Sequence, residues 1–222
     1  IFSPGTTQMF PEGHVINIHP WEYNEVPVLL AAALKTDRPI VALHLTRPGI
    51  EIPDREALGM ASHFEAAKGA YILRDYKPDM PQQGCLFVQG TMSTYNLINA
   101  LQEIDNAGVN IKIIAVPSPQ LFALQTQKYR DSVITAGDKM NSTVITNRAR
   151  RLMSDWNFNP LCNEYAMCSD RDDQWRSGGS IAGVYVDAHL DPKSIARDVV
   201  KFANDFELRM SKIAEMLNAT KV

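Results

Sequence analysis

Apolar positions along this chain switch repeatedly between the two-residue period of strands and the three-to-four-residue period of helices. The run HVINI at 14–18 predicts a short strand ending at His19-Pro20. Val26, Leu29, Leu30, Ala33 and Leu34 then share one face of a helix over 25–35, with Asn24 placed to cap it. Residues 40–45 (IVALHL) predict a buried strand that stops abruptly at Thr46-Arg47-Pro48-Gly49. Strand, helix and strand of these lengths suit a parallel, right-handed crossover. Two strands and one helix cannot cover both faces of a sheet, so the unit is expected to lean on a larger body.

A second alternation follows. Residues 48–68 read as a linking stretch with about one helical turn, 71–73 (YIL) as an edge strand and 77–84 (KPDMPQQG) as a loop. Strands are expected at 85–88, 111–116 and 142–146, with helices over 92–107 and 121–134. Leu97, Ile98, Leu101 and Ile104 face inward on the first of these helices. The pattern weakens over 147–180, which ends in a glycine turn, SGGS, before a strand expected at 182–186. Asp191-Pro192 then starts a helix, with aspartate as cap and proline at the first helical position. Ile195, Val199, Phe202, Phe206, Ile213 and Leu217 recur after it at helical spacing. The expected fold is α/β. A mostly parallel sheet with helices on both faces occupies 84–222, and a linker at 61–83 joins it to a βαβ remnant of a second α/β domain in 1–60.

The chain's 222 residues suffice for one large domain, or for one domain and part of another. A net charge of −3 without any basic block gives no sign of a nucleic-acid or membrane partner. No apolar run approaches the ~20 residues needed to span a bilayer. Cys85, Cys162 and Cys168 form no CxxC pair and suit a reduced, cytoplasmic setting; Cys85, inside an apolar run, reads as core. The opening IFSPGTTQMFPEG has no initiator methionine, basic region or apolar leader, which predicts a piece of a longer polypeptide.

Candidate chemistry is thin. Gln89-Gly90-Thr91 falls short of a GxGxxG or GxxxxGK[ST] loop and reads as an ordinary βα turn, and the SGGS run reads likewise. His14, His19, His44, His63 and His189 lack metal-ligand spacing, so no metal site is expected. Asp54-Arg55-Glu56 and Asp170-Arg171-Asp172-Asp173 read as solvated charge clusters. Arg47 stands out by position alone, because ligands of open α/β sheets sit at the carboxyl ends of strands. Helix capping or pairing with a surface carboxylate would account for it as well.

The order of features resembles the carboxyl-terminal third of transketolases, thiamine-diphosphate enzymes that move two-carbon ketol units between sugar phosphates. VINIHPWEYNEV (15–26) is similar to that family's strand followed by proline-x-aspartate-x-asparagine-glutamate, with Glu22 at the aspartate position and Asn24 and Glu25 after it. IVALHLTRPGIEIP resembles the family's strand ending in serine-arginine-glutamine and then leucine-proline, and KGAYILR (68–74) its lysine-glycine-glycine-tyrosine-valine-leucine segment. FVQGTMS (87–93) stands at its threonine-glycine-serine-glutamate turn. In VPSPQLFALQTQKYRDSVI, Pro117, Phe122, Gln125, Tyr129, Arg130 and Val133 keep the family's residues in step. Thr46 and Pro48 depart from the pattern, as does Asn147 where a glutamate is expected.

The resemblance implies a substrate phosphate-binding role for Arg47, and it carries over no other site residue: neither catalytic, nor cofactor-binding, nor metal-binding. It implies thiamine diphosphate and Mg²⁺ in the intact enzyme, held by ligands outside this chain, so the fragment alone is expected to be inactive. It also implies sugar-phosphate substrates, a place in the pentose phosphate pathway, contact with the enzyme's remaining domains and a homodimer. Two alternatives stay open: part of a 2-oxo-acid dehydrogenase E1-type enzyme, or a non-catalytic assembly or regulatory module of the same fold.

Overall fold

The computed structural model describes residues 3–11, 13–176 and 178–220. A short helix α1 (Ser3–Thr7) precedes β1 (Val15–Ile18), α2 (Glu25–Leu34) and β2 (Ile40–Leu43). The two strands pair in parallel, Val15 opposite Ile40 and Ile18 opposite Leu43, as the βαβ spacing predicts. The expectation of a buried strand over 40–45 is corrected. β2 stops at Leu43 and is half-exposed, with Ile40 and Leu43 each 37% accessible. It pairs with β1 on one side and, among the described residues, has no neighbour on the other, so its apolar side chains remain open to solvent.

A 3₁₀ turn at His63–Lys68 leads into β3 (Tyr71–Arg74), β4 (Gly84–Gln89), α3 (Thr91–Asn106) and β5 (Ile111–Ala115). Gly69 ends that turn at φ +84°, and a Cβ there would lie 2.2 Å from the Phe122 nitrogen, so only glycine fits. Helices α4 (Pro119–Ala123), α5 (Gln127–Val133) and α6 (Ala136–Met140) then precede β6 (Ser142–Thr146). The second sheet runs β3-β5-β4-β6, with β4 parallel to both its neighbours and β3 antiparallel at the edge.

Alternation along these strands fills two cores. Leu86, Val88, Ile113 and Ile145 pack with Leu97 and Leu101 of α3 and with Ile195 and Val199 of α8 (Pro192–Asn204). On the other face, Cys85, Phe87, Ile114 and Val144 meet Phe122, Val133 and Trp156. The Trp156 ring lies 5.9 Å from that of Phe87 and 5.8 Å from that of Phe122. Helical segments thus cover both faces, the expected fold class. Cys85 is fully buried, and burial pushes its thiol well above the ordinary range.

Three expectations differ from what is observed. The strand expected at 182–186 is a helix, α7 (Ile181–Asp187), started by Ser180, whose hydroxyl accepts from the Gly183 N–H. The position beside β6 is already held by Met167, bridged to Ile145, which leaves the 182–186 run no strand to pair with there. In the turn before it, Ser177 lies outside the described residues. The helix expected over 121–134 breaks in two at Thr126, which caps α5 by accepting from Tyr129 N–H. The last apolar repeat divides between α8 and α9 (Phe206–Ala219) at Asp205, which is bound by Tyr165 and Lys201. The start of α8 is as expected, with Asp191 accepting from Ser194 N–H and Pro192 in the first turn.

Candidate functional site at the strand ends

The carboxyl ends of the two sheets meet. His19 N–H, just past β1, donates to Pro117 O at 2.8 Å, and Asn17 N–H donates to the Gln120 side chain at 3.0 Å. Ser118 caps α4 by accepting from Leu121 N–H, and Pro119 begins that helix, which aims Gln120 at β1. Around this seam stand residues that sequence reasoning did not group. The rings of His19 and His44 stack with centroids 4.3 Å apart. His44 Nε2 lies 3.0 Å from Asn17 Oδ1. Arg148, beyond the end of β6, donates from Nη1 to His19 Nδ1 at 2.7 Å and to Gln89 Oε1 at 3.3 Å.

The electrostatics follow from burial. His19 is held well below the ordinary imidazole range, first by burial and then by the neighbouring Arg148 and His44. His44 is lowered to about 4, again by burial and then by Arg148. Both rings are therefore neutral near pH 7, which lets His19 Nδ1 accept a bond from a guanidinium. Burial lowers Arg148 itself to about 10, leaving it still charged at neutral pH.

Arg47 lies four residues past the last residue of β2, exposed to solvent. It has no hydrogen bond or ion pair to another described residue, so neither helix capping nor a surface ion pair occupies it. Of the residues in the convergent cluster it is nearest in sequence to His44. The Gln89-Gly90 turn behaves as an ordinary helix start whose space is taken. Gly90 has φ +101°, and a Cβ there would lie 2.2 Å from Asn147 Oδ1. The Ser93 hydroxyl donates to Gln89 O at 2.6 Å.

Another correction concerns Arg55, which is buried rather than solvated. It pairs with Glu22 at 2.6 Å and with Glu25 at 2.9 Å, while its guanidinium lies 4.6 Å from the Trp21 ring centre. Tyr71 donates to Glu25 and accepts from Trp21 Nε1 at 2.9 Å. Burial raises the Glu25 carboxyl even against these partners. The residues around Glu22 and Glu25 thus bind α2 to β3 and serve packing. The 117–133 stretch is structural as well: the Tyr129 hydroxyl donates to Ala70 O at 3.0 Å and its ring meets Phe122 edge-on.

Among the described residues no group of three or more His, Cys, Asp or Glu is arranged to hold a metal ion. The described donor set therefore does not fit a magnesium-bound diphosphate. No described helix is long and apolar enough to cross a membrane.

Comparison with known proteins agrees with this fold. No family model matches the chain. A transketolase of Geobacillus stearothermophilus is 31% identical over 119 residues, 53% of this chain and 17% of that protein. A plasmid-borne transketolase of Cupriavidus necator is 27% identical over 106 residues, 48% of this chain and 15% of that protein. Among solved structures, a transketolase from Pichia stipitis in complex with sedoheptulose 7-phosphate superposes over 93% of this chain and 27% of its own, with TM-score 0.71 and 16% identity. A Leishmania mexicana transketolase does so over 93% and 27%, with TM-score 0.68 and 18% identity. This chain therefore spans about a quarter of the length of those structures. In sequence over half its length, and in fold over nearly all of it, the chain is similar to the carboxyl-terminal region of transketolases.

Proposed function

We propose that the chain works as the carboxyl-terminal portion of a thiamine-diphosphate-dependent transketolase, and that Arg47 grips the phosphate of its sugar substrate. On this reading residues 1–60 end the pyrimidine-binding domain, 61–83 link, and 84–222 form the carboxyl-terminal domain. The supporting observation is Arg47 itself: an exposed guanidinium just past a strand's carboxyl end, unengaged by any described residue, in a chain that resembles transketolases. The planar fork of a guanidinium can clamp a phosphate through two parallel bonds. Such an anchor lies away from the reacting carbonyl, so it orients the substrate and lends binding energy to the chemistry.

Thiamine diphosphate and Mg²⁺ would be held elsewhere in the intact enzyme, and the bound cofactor would supply the carbanion sink. The open edge of β2 and its exposed apolar residues suit burial by the rest of that enzyme, as a homodimer in the cytoplasm. The test is turnover by the full-length enzyme with ribose 5-phosphate and a ketose donor, compared with pyruvate. Ketol transfer between sugar phosphates is expected. Turnover of pyruvate alone would point to a 2-oxo-acid dehydrogenase E1-type enzyme, and no thiamine-dependent activity at all would point to an assembly module.

A further inference from the structure

The seam between the sheets carries a reading independent of Arg47. It opens as a cleft of about 300 Å³ counted to its mouth, whose enclosed part has room for about one water-sized oxygen. Asn17, His19, Gln89, Gln120, Arg148 and Asp155 are among its lining residues. Arg148 spends one nitrogen, Nη1, on His19 and Gln89. Asp155 stands on the same wall, yet no carboxylate pairs with Arg148 among the described residues, and nothing offsets the lowering of its pKa by burial.

A half-buried cation without a counter-charge is costly unless something neutralises it. An anion would neutralise it, and the other groups of the cleft are suited to hold one by donating alongside Arg148. Gln120 uses its Oε1 to accept from Asn17 N–H, and Asn17 Oδ1 faces His44, so the amide NH₂ groups of both residues donate to no described residue. The three residues that carry these free donors therefore line one recess, contributed by β1, α4 and the segment after β6. Their position matches the crevice outside strand carboxyl ends where open α/β sheets take ligands.

We propose that this cleft binds a phosphate group, with Arg148 as the charge anchor and the side-chain amides of Asn17 and Gln120 as the positioning donors. One phosphate oxygen enters the recess and the others stay at the mouth, so the group can be free or esterified to a small molecule. Calorimetric titration of the full chain with inorganic phosphate and, separately, with glycerol 3-phosphate at constant ionic strength tests this, with circular dichroism to verify folding. Saturable binding of at least one is expected, weakened at least tenfold by Arg148→Gln and by Gln120→Glu, and retained by Lys193→Ala, which removes an exposed cation away from the cleft. Tighter binding of the ester identifies an esterified ligand; equal or tighter binding of phosphate identifies the free ion. Absence of saturable binding by the folded chain overturns the proposal, as does unchanged binding in a folded Arg148→Gln or Gln120→Glu variant. Equal loss in Lys193→Ala and Arg148→Gln also overturns it, by reducing the binding to unspecific attraction between charges. Gln120→Glu, on a half-exposed side chain, keeps the test decisive should Arg148→Gln not fold.

Discussion

Arg148 Nη1 donates to His19 Nδ1 at 2.7 Å, which ties the end of β6 in one sheet to the end of β1 in the other. His19→Ala removes the acceptor and the ring stacked on His44, and leaves a half-buried guanidinium with only a long bond to Gln89. Leaving such a donor short of a partner costs about 1–3 kcal/mol. For a chain of this size each kilocalorie lowers Tm by roughly 2–4 °C. Chemical denaturation measures it, and an unchanged midpoint would mean that the Arg148–His19 bond adds nothing to the joint that the Asn17 and His19 backbone N–H bonds already make.

The same pair sets an acid response. Burial and Arg148 hold His44 at about 4, below its ordinary 6.5, so between those values the folded chain binds fewer protons than the unfolded one. Stability present above pH 6.5 is therefore lost as pH falls through that window toward 4. His19 acts in the same direction. Thermal melts across the window should show Tm falling with acid, and the fall should be shallower in His44→Gln. An identical slope in that variant would remove His44 from the account.

Tyr71→Phe tests the buried network around Glu25. The hydroxyl donates to Glu25 and accepts from Trp21 Nε1 and from Arg55 Nη1, so its loss strands Trp21 Nε1 and leaves Glu25 and Arg55 each one partner short, with Arg55 Nη2 still on Glu25 and Arg55 Nη1 still on Ala61 O. A destabilisation of about 1–3 kcal/mol or more is expected, read from urea midpoints. Glu25 opposes the histidines in pH dependence. Its raised carboxyl favours folding at low pH, and that contribution fades as pH rises through its folded value.

Arg47→Ala should leave the fold intact, because the side chain is exposed and bonded to no described residue. In the intact enzyme KM for phosphorylated sugars should rise about ten- to a hundredfold, the loss of a charge-assisted bond of roughly 1.5–3 kcal/mol. Steady-state kinetics with phosphorylated and unphosphorylated acceptors would show it. A rise of equal size for both acceptors would deny Arg47 a phosphate role.

Much of the scaffold was legible because local pattern and tertiary demand agree there. Leu97, Ile98, Leu101 and Ile104 announce α3, and Asp191-Pro192 announces α8. The 182–186 run misleads because its apolar residues look strand-like, while Ser180 supplies a helix cap and Met167 already lies beside β6. Arg55 looks solvated among charged neighbours, and only the fold brings Glu22, Glu25 and Trp21 around it. The strand-end cluster draws on Asn17, His19, His44, Gln89, Gln120 and Arg148, so no local spacing could announce it. His19 and Arg148 each lie just past the carboxyl end of a strand, as Arg47 does, and that placement is the one signal in the sequence that marks them.

The free margin of β2 has a consequence for handling the chain in isolation. Bare amides flanked by Ile40, Leu43 and Leu45 invite another extended segment to zip alongside, including the same margin of a second copy. Pro39 and Pro48 bracket that stretch and offer no N–H, so any added ladder stays only a few rungs long. Solitary preparations should therefore associate reversibly through short pairings instead of growing fibres.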